Sequence, residues 1–185
     1  MTAISGSRRA AILPLALGVL LGFIAGYFAG GGGHPSAPGS ASKGGAGGDQ
    51  AAEIRSSLER DPENPRLWTS LGNFLYDRED WPGAIAAYEK ALRKAPEDPA
   101  VLSDLGAAYR NRGEFKRAVS LFNKARGADP DHWQSLLNLV LVYAFDLRDG
   151  AAAQRSFEEL KRRYPGIPNL DRLQKQIDDV RAGGA

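Results

Sequence analysis

The chain has 185 residues, 43% hydrophobic and 25% charged, which sets the scale at one domain of ordinary size. Its net charge of +2 is close to balance, and both signs are scattered along the chain, as in Glu89 and Lys90 or Glu158 and Glu159 beside Lys161, Arg162 and Arg163; this argues against a nucleic-acid partner. With no cysteine and only His34 and His132, the chain lacks a Cys/His zinc site, a thiol nucleophile and a CxxCH haem-attachment motif.

Residues 1–9 are a short polar start ending in Arg8 and Arg9. The next 20 residues, Ala10 to Ala29, are uncharged and mostly apolar. As a helix they span about 30 Å, the thickness of a bilayer core, and predict a single transmembrane helix. The next basic residue is Lys43, so the positive-inside rule keeps residues 1–9 cytoplasmic and exports the rest. In a Gram-negative bacterium this is an inner-membrane protein whose C-terminal domain faces the periplasm. A cleaved signal peptide has the same order of parts, but the apolar run is longer than the usual core of about 7 to 15 residues, and a small-x-small site occurs only among Gly30 to Gly33. Ser7, Arg8 and Arg9 are similar to a twin-arginine signal without the bulky residue that follows it, and the lack of cysteine excludes a lipoprotein anchor.

Gly18, Gly22, Gly26 and Gly30 fall every fourth residue on one side of that helix, forming three overlapping GxxxG motifs. Such a stripe lets two helix backbones pack closely, as in a homodimer or against another membrane helix; the plain alternative is the general frequency of glycine in membrane helices. Residues 30–48 follow, nine of the nineteen being glycine, and predict a flexible tether about 25 Å from end to end. His34 lies in it with no second ligand nearby.

Asp49 to Arg60 predicts a lone helix with Ile54 and Leu58 on its apolar side, within an N-terminal cap of residues 49–64. Beyond it a period of 34 emerges: Pro62, Pro96 and Pro130 are spaced by 34. Trp68, Leu71, Gly72, Ala84, Tyr88 and Ala91 stand in register with Leu102, Leu105, Gly106, Ala118, Phe122 and Ala125. Gly72 and Gly106 are expected to face Ala84 and Ala118 where two antiparallel helices approach, and the larger residues, with Tyr109, to fill the space between helices. Asn64 before Pro65, Asp98 before Pro99, and Asp131 read as N-caps, and Asn111, Arg112 and Gly113 as a left-handed helix stop. A third unit keeps Leu136, Leu139 and Tyr143 but carries Val140 in place of glycine, which predicts a splayed helix pair. Its second helix fits, through Ala153, Phe157, Leu160 and Pro165, only with one residue inserted near Asp146 to Asp149. Leu170, Leu173, Ile177 and Val180 mark a closing helix in residues 168–185.

These residues resemble the tetratricopeptide repeat, or TPR. The resemblance implies an all-α helical solenoid with repeats at 65–98, 99–132 and a degenerate 133–167, flanked by cap helices that cover its end faces. It also implies an interaction scaffold rather than an enzyme, with no metal, no cofactor and a protein or extended peptide as partner. TPR arrays line their concave wall with first helices. The register places Thr69, Asn73, Tyr76, Asp77, Ser103, Asp104, Ala107, Arg110 and Asn111 on that wall in the first two repeats. Of the residues that TPR domains use to grip the C-terminal carboxylate of cytosolic chaperones, only Asn73 is matched, with Thr69, Asp104, Gln134 and Asn138 at the others, which speaks against that ligand. In the third repeat Leu137, Leu141, Ala144 and Phe145 take the equivalent places: either an apolar partner site, or a strip covered by the terminal helix or the irregular loop.

The acidic pairs Asp61/Glu63 and Glu97/Asp98 fall in inter-repeat turns, and no glycine-rich loop follows a strand to cradle phosphate. His132 beside Trp133 reads as the first turn of a helix. A short cytoplasmic end, one membrane helix and an exported TPR domain together resemble the TPR subunits of bacterial cytochrome c biogenesis and haem-lyase assemblies, which implies a chaperone holding apocytochrome. An anchored adaptor for another envelope complex and a recognition subunit of an enzyme complex are the other readings.

Overall fold

The computed structural model describes residues 46–183, with side chains from Gln50 onward. The expected transmembrane helix over 10–29, its glycine face of Gly18, Gly22, Gly26 and Gly30, and nearly all of the 30–48 tether lie outside the described residues. Among the described residues no helix is long and apolar enough to cross a membrane.

Among the described residues eight α-helices follow one another: α1 Ala46–Arg60, α2 Pro65–Asp77, α3 Trp81–Leu92, α4 Pro99–Asn111, α5 Phe115–Ala128, α6 Trp133–Leu141, α7 Gly150–Arg163 and α8 Leu170–Gly183, with a π-helical turn Val142–Asp146 continuing α6. The all-α solenoid expected from the 34-residue period is therefore present, as the pairs α2/α3, α4/α5 and α6/α7 between α1 and α8. The first helix begins three residues before the expected Asp49.

Sequence-local chemistry explains most of the boundaries. Asn64 accepts a hydrogen bond from the Arg66 amide at 3.1 Å, and Asp98 accepts from the Ala100 and Val101 amides at 3.0 and 3.1 Å, each ahead of a proline preset for the first turn. Asp80 and Asp149 do the same for α3 and α7 through the amides of Gly83 and Ala152. Asp131 does not cap α6. His132 holds the N-cap position without a side-chain cap, and the Asp131 amide instead donates to the Asp129 carboxylate at 2.9 Å, so that carboxylate closes a local turn before the helix.

Within each pair the contact is tighter than two small residues meeting. A Cβ on Gly106 would stand 2.6 Å from Cε1 of Phe122, and one on Gly72 would run into the Tyr88 ring. The glycines thus face aromatic rings first, rather than Ala84 and Ala118 as the register suggested; the alanines are nevertheless fully buried. A ring set against bare backbone fills the gap that a methyl pair would leave partly open. In the third pair Val140 and Phe157 are both fully buried.

The core runs between pairs as well as within them. Ile54 and Leu58 of α1 pack on Leu71 and Ala87; Tyr88 and Ile85 pack with Val101 and Leu105; Ala118 and Phe122 pack with Leu139 and Val142. At the far end Leu170, Leu173 and Ile177 of α8 are buried, and α8 lies on α7 and the π turn. The basic run at the end of α7 divides: Lys161 and Arg162 are exposed, while Arg163 turns in to Asp131 at 2.8 Å.

The extra residue of the third repeat lies earlier than Asp146 to Asp149. In the first two repeats the amides of Asp80 and Glu114 bond back to the carbonyls of Leu75 and Tyr109, five residues before; in the third, Asp149 reaches Tyr143, six before. The turn itself is regular, since Glu79, Gly113 and Arg148 all take the left-handed conformation, at φ 62°, 80° and 55°. The insertion is therefore absorbed inside the helix, where the Leu147 amide bonds to the Val142 carbonyl and widens the last turn to the π form.

Candidate functional site

The first helices α2, α4 and α6 of successive repeats touch one another directly, which turns their shared side inward. Side-chain bonds tie that inner wall together. The Asn111 amide donates to the Tyr76 hydroxyl at 2.9 Å from α4 to α2, and the Asn138 amide donates to the Ser103 hydroxyl at 3.3 Å from α6 to α4. The Tyr88 hydroxyl reaches through from α3 and donates to Oδ1 of Asn73 at 2.8 Å.

The wall positions expected from the register divide by exposure. Asn73, Asp77 and Asn111 are exposed; Thr69, Tyr76, Asp104, Ala107 and Arg110 are half-buried; Ser103 is buried. Thr69 is spent on its own helix, its hydroxyl donating to the Pro65 carbonyl at 3.0 Å. Arg110 forms an ion pair and hydrogen bond with Asp146 of the π turn, the side chains being 15% and 20% exposed, so its charge is neutralised within the fold. Tyr76 also sets its ring edge-on to Trp81 with centroids 4.9 Å apart, fixing the near end of the groove.

The apolar strip of the third repeat does not open on the groove. Leu137 and Leu141 are 7% and 5% exposed, Ala144 is fully buried, and only Phe145 is half-buried. Leu137 and Leu141 are thus buried within the fold and unavailable to a partner. Of the two readings of the strip, the covered one describes this fold. The open, polar part of the wall lies over α2 and α4.

Asp104, like Asp77, has no hydrogen bond or ion pair among the described residues, but it is half-buried where Asp77 is exposed. For Asp104, burial, and then the charge of Asp98, push the carboxyl up to about 6 from an ordinary 3.8. Tyr76 is raised by burial against the opposing effect of its bond from Asn111, and Tyr88 by burial and then Asp104, so both stay protonated in the neutral range. His132 is lowered by burial, and its Nδ1 lies 2.8 Å from the Ser135 hydroxyl. Among the described residues no group of His, Asp and Glu side chains is arranged to hold a metal ion.

Three contributors escaped the register. Tyr88 stands where the second repeat has Phe122, and that substitution was the signal: a phenol in a core position needs a hydrogen-bond partner. Asp146 sits in the inserted segment, where the period assigns no role. Trp81 lies on a second helix, outside the first-helix positions that define the wall.

Models of the tetratricopeptide repeat match residues 49–99 and 75–140. No curated protein matches the chain. Among solved structures, the TPR domain of Arabidopsis OM64 superposes with a TM-score of 0.59 at 18% identity, covering 63% of this chain and 96% of that one. Pseudomonas aeruginosa PilF gives 0.61 at 21% identity over 76% and 69% of the two chains. The TPR2B domain of yeast Sti1, in complex with an Hsp70 peptide, gives 0.54 at 20% identity over 71% and 98%. These likenesses establish the fold, a TPR helical solenoid.

Proposed function

We propose that this chain, built of tetratricopeptide repeats, is an interaction scaffold that takes an extended peptide segment of a partner protein along the inner wall of α2 and α4. The observation that carries the reading is the polar strip itself: Asn73, Asp77 and Asn111 are exposed on adjacent helices whose relative position is locked by the bond from Asn111 to Tyr76. Amide side chains on a rigid wall suit a peptide backbone, because each offers both a donor and an acceptor. The peptide-bound yeast Sti1 domain has the same fold and lends support by analogy only.

The apolar run over 10–29, preceded by Arg8 and Arg9, supports a membrane anchor with the repeats on the far side of the membrane from residues 1–9. In this reading the tether of residues 30–48 lets the groove search the space beside the membrane. The glycine stripe Gly18, Gly22, Gly26 and Gly30 supports pairing of that anchor with a second helix.

A photo-crosslinking amino acid placed in turn at Asn73, Asn111 and Ser120 of the full chain in cells tests the scaffold. Ser120 is exposed on the second helix of its pair, away from the wall. Adducts from positions 73 and 111 but not from 120 are expected, and mass spectrometry of those adducts identifies the partner. Apocytochromes or haem-lyase subunits among them would specify a role in cytochrome assembly; equal labelling from all three positions would reject the groove.

A further inference from the structure

We propose that the groove selects a partner segment carrying a lysine or arginine, whose cationic head is received by Asp104 with Asp77 at the lip. This rests on the peptide-binding reading above and adds the charge of the ligand to it.

The wall over α2 and α4 is complementary to positive charge. Its register positions include one cation, Arg110, which is held by Asp146. Its two anions, Asp77 and Asp104, have no ion pair among the described residues. Both carboxylates act electrostatically on the Tyr76 and Tyr88 hydroxyls, and Arg110 acts on Tyr76, while those hydroxyls are fixed on the wall by their bonds with Asn111 and Asn73. An acidic peptide end brought there would meet two carboxylates and a guanidinium already taken. A cation would meet two unpaired carboxylates, an outcome favoured further by partial exclusion of water.

The shape agrees with the charge. Asp104 is half-buried, so a ligand must reach inward to meet it, as the long stems of lysine and arginine do. The half-buried ring of Tyr76 beside that path can pack on a methylene stem or attract the cation. Asn73 and Asn111 remain at the surface to hold the backbone of the same segment.

The groups that interact with Asp104 are Asp98 from the start of its own helix, Tyr76 from α2 and Tyr88 from α3, while Arg110 and Asp77 act on the same Tyr76 hydroxyl; the tyrosines keep their protons in the neutral range. As pH falls through about 6, Asp104 takes up a proton and its attraction for a cation disappears.

The test uses the full chain in detergent micelles and two pools of fluorescent dodecapeptides, blocked at both ends and identical except for a central lysine or a central glutamate. Fluorescence anisotropy at pH 7.5 is expected to show the lysine pool binding about tenfold more tightly, and the advantage should shrink several-fold at pH 5.5. Asp104→Asn, which keeps the shape and removes the charge, should remove most of the preference while the far-UV circular dichroism stays unchanged. Equal binding of the two pools, or tighter binding of the glutamate pool, overturns the cationic subsite and leaves the peptide groove standing. Failure of both pools to bind overturns the groove and the subsite with it. The comparison of pools is made on the unaltered chain, so it decides the matter even where a variant folds poorly.

Discussion

At neutral pH the Asp104 carboxylate is ionised in a half-buried place where no donor meets it, so its charge opposes folding. The sign follows from its folded value of about 6 against an ordinary 3.8: the fold holds this proton more tightly than the unfolded chain does, and the stability associated with it is lost as pH rises from about 4 through 6. Asp104→Asn should therefore stabilise the domain by about 1 to 2 kcal/mol at pH 7, with the gain vanishing below about pH 4, as measured by urea denaturation at the two pH values. Glu79 and Arg148 pose a different residue-scale question, since both occupy the left-handed position that Gly113 fills in the second repeat. Replacing Glu79 with glycine should raise stability by about 0.5 to 1 kcal/mol, because a side chain with a Cβ is strained there and glycine is not. A lower urea midpoint for Glu79→Gly would contradict that account. Much of this scale was legible in the sequence: Asn64, Asp98 and Gly113 sit where their backbone chemistry requires. Asp131 misled because its carboxylate accepts from Arg163 of α7, a partner distant in sequence, while its amide donates to Asp129.

For the elements, the irregular third repeat shows what a period can and cannot reveal. Counting from Val140 to Phe157 discloses one residue too many, but the count is indifferent to whether the excess loops out or stays in the helix. The backbone settles it by energy: a π turn keeps the amide of Leu147 bonded, whereas a bulged loop would leave buried polar groups to satisfy. The turn also delivers Asp146 to Arg110, which clasps the second repeat to the third. A double-mutant cycle on Arg110→Ala and Asp146→Ala should give a coupling of about 1 to 2 kcal/mol, below the value for a fully buried pair because both side chains keep some access to water. Strict additivity would mean that the clasp contributes nothing. Leu141 belongs to the same region. Its replacement by aspartate should cost several kcal/mol and abolish cooperative unfolding, since it would bury an unpaired charge; a folded Leu141→Asp domain that merely loses partner binding would restore the apolar-strip reading.

Across the whole molecule, each helix pair rests only on its neighbours, so the end faces decide whether the stack survives. The closing helix α8 supplies Ile177, fully buried, along with Leu170 and Leu173. Ile177→Ala should cost about 2 to 5 kcal/mol and lower the single thermal transition, although the residue is remote from the groove. An unchanged transition would mean that α8 is an appendage rather than a cap. The architecture was legible because repetition multiplies every packing constraint: glycine, ring and alanine recur at one spacing, and chance does not supply that twice. The ligand was less legible for the opposite reason. Wall residues such as Asn73, Asp77 and Asp104 obey no packing rule, and their meaning appears only once Arg110 is seen to be paired and Asp104 is not.

The proposed scaffold holds its partner segment on α2 and α4. The most direct measurement is a comparison of backbone and side-chain amide NMR spectra of the full chain in micelles, with and without the lysine-centred dodecapeptide pool. Shifts confined to Asn73, Tyr76, Asp77, Asp104 and Asn111 and their immediate neighbours are expected. Shifts centred instead on Phe115 and Leu147 at the outer turns, or on α8, would contradict that placement.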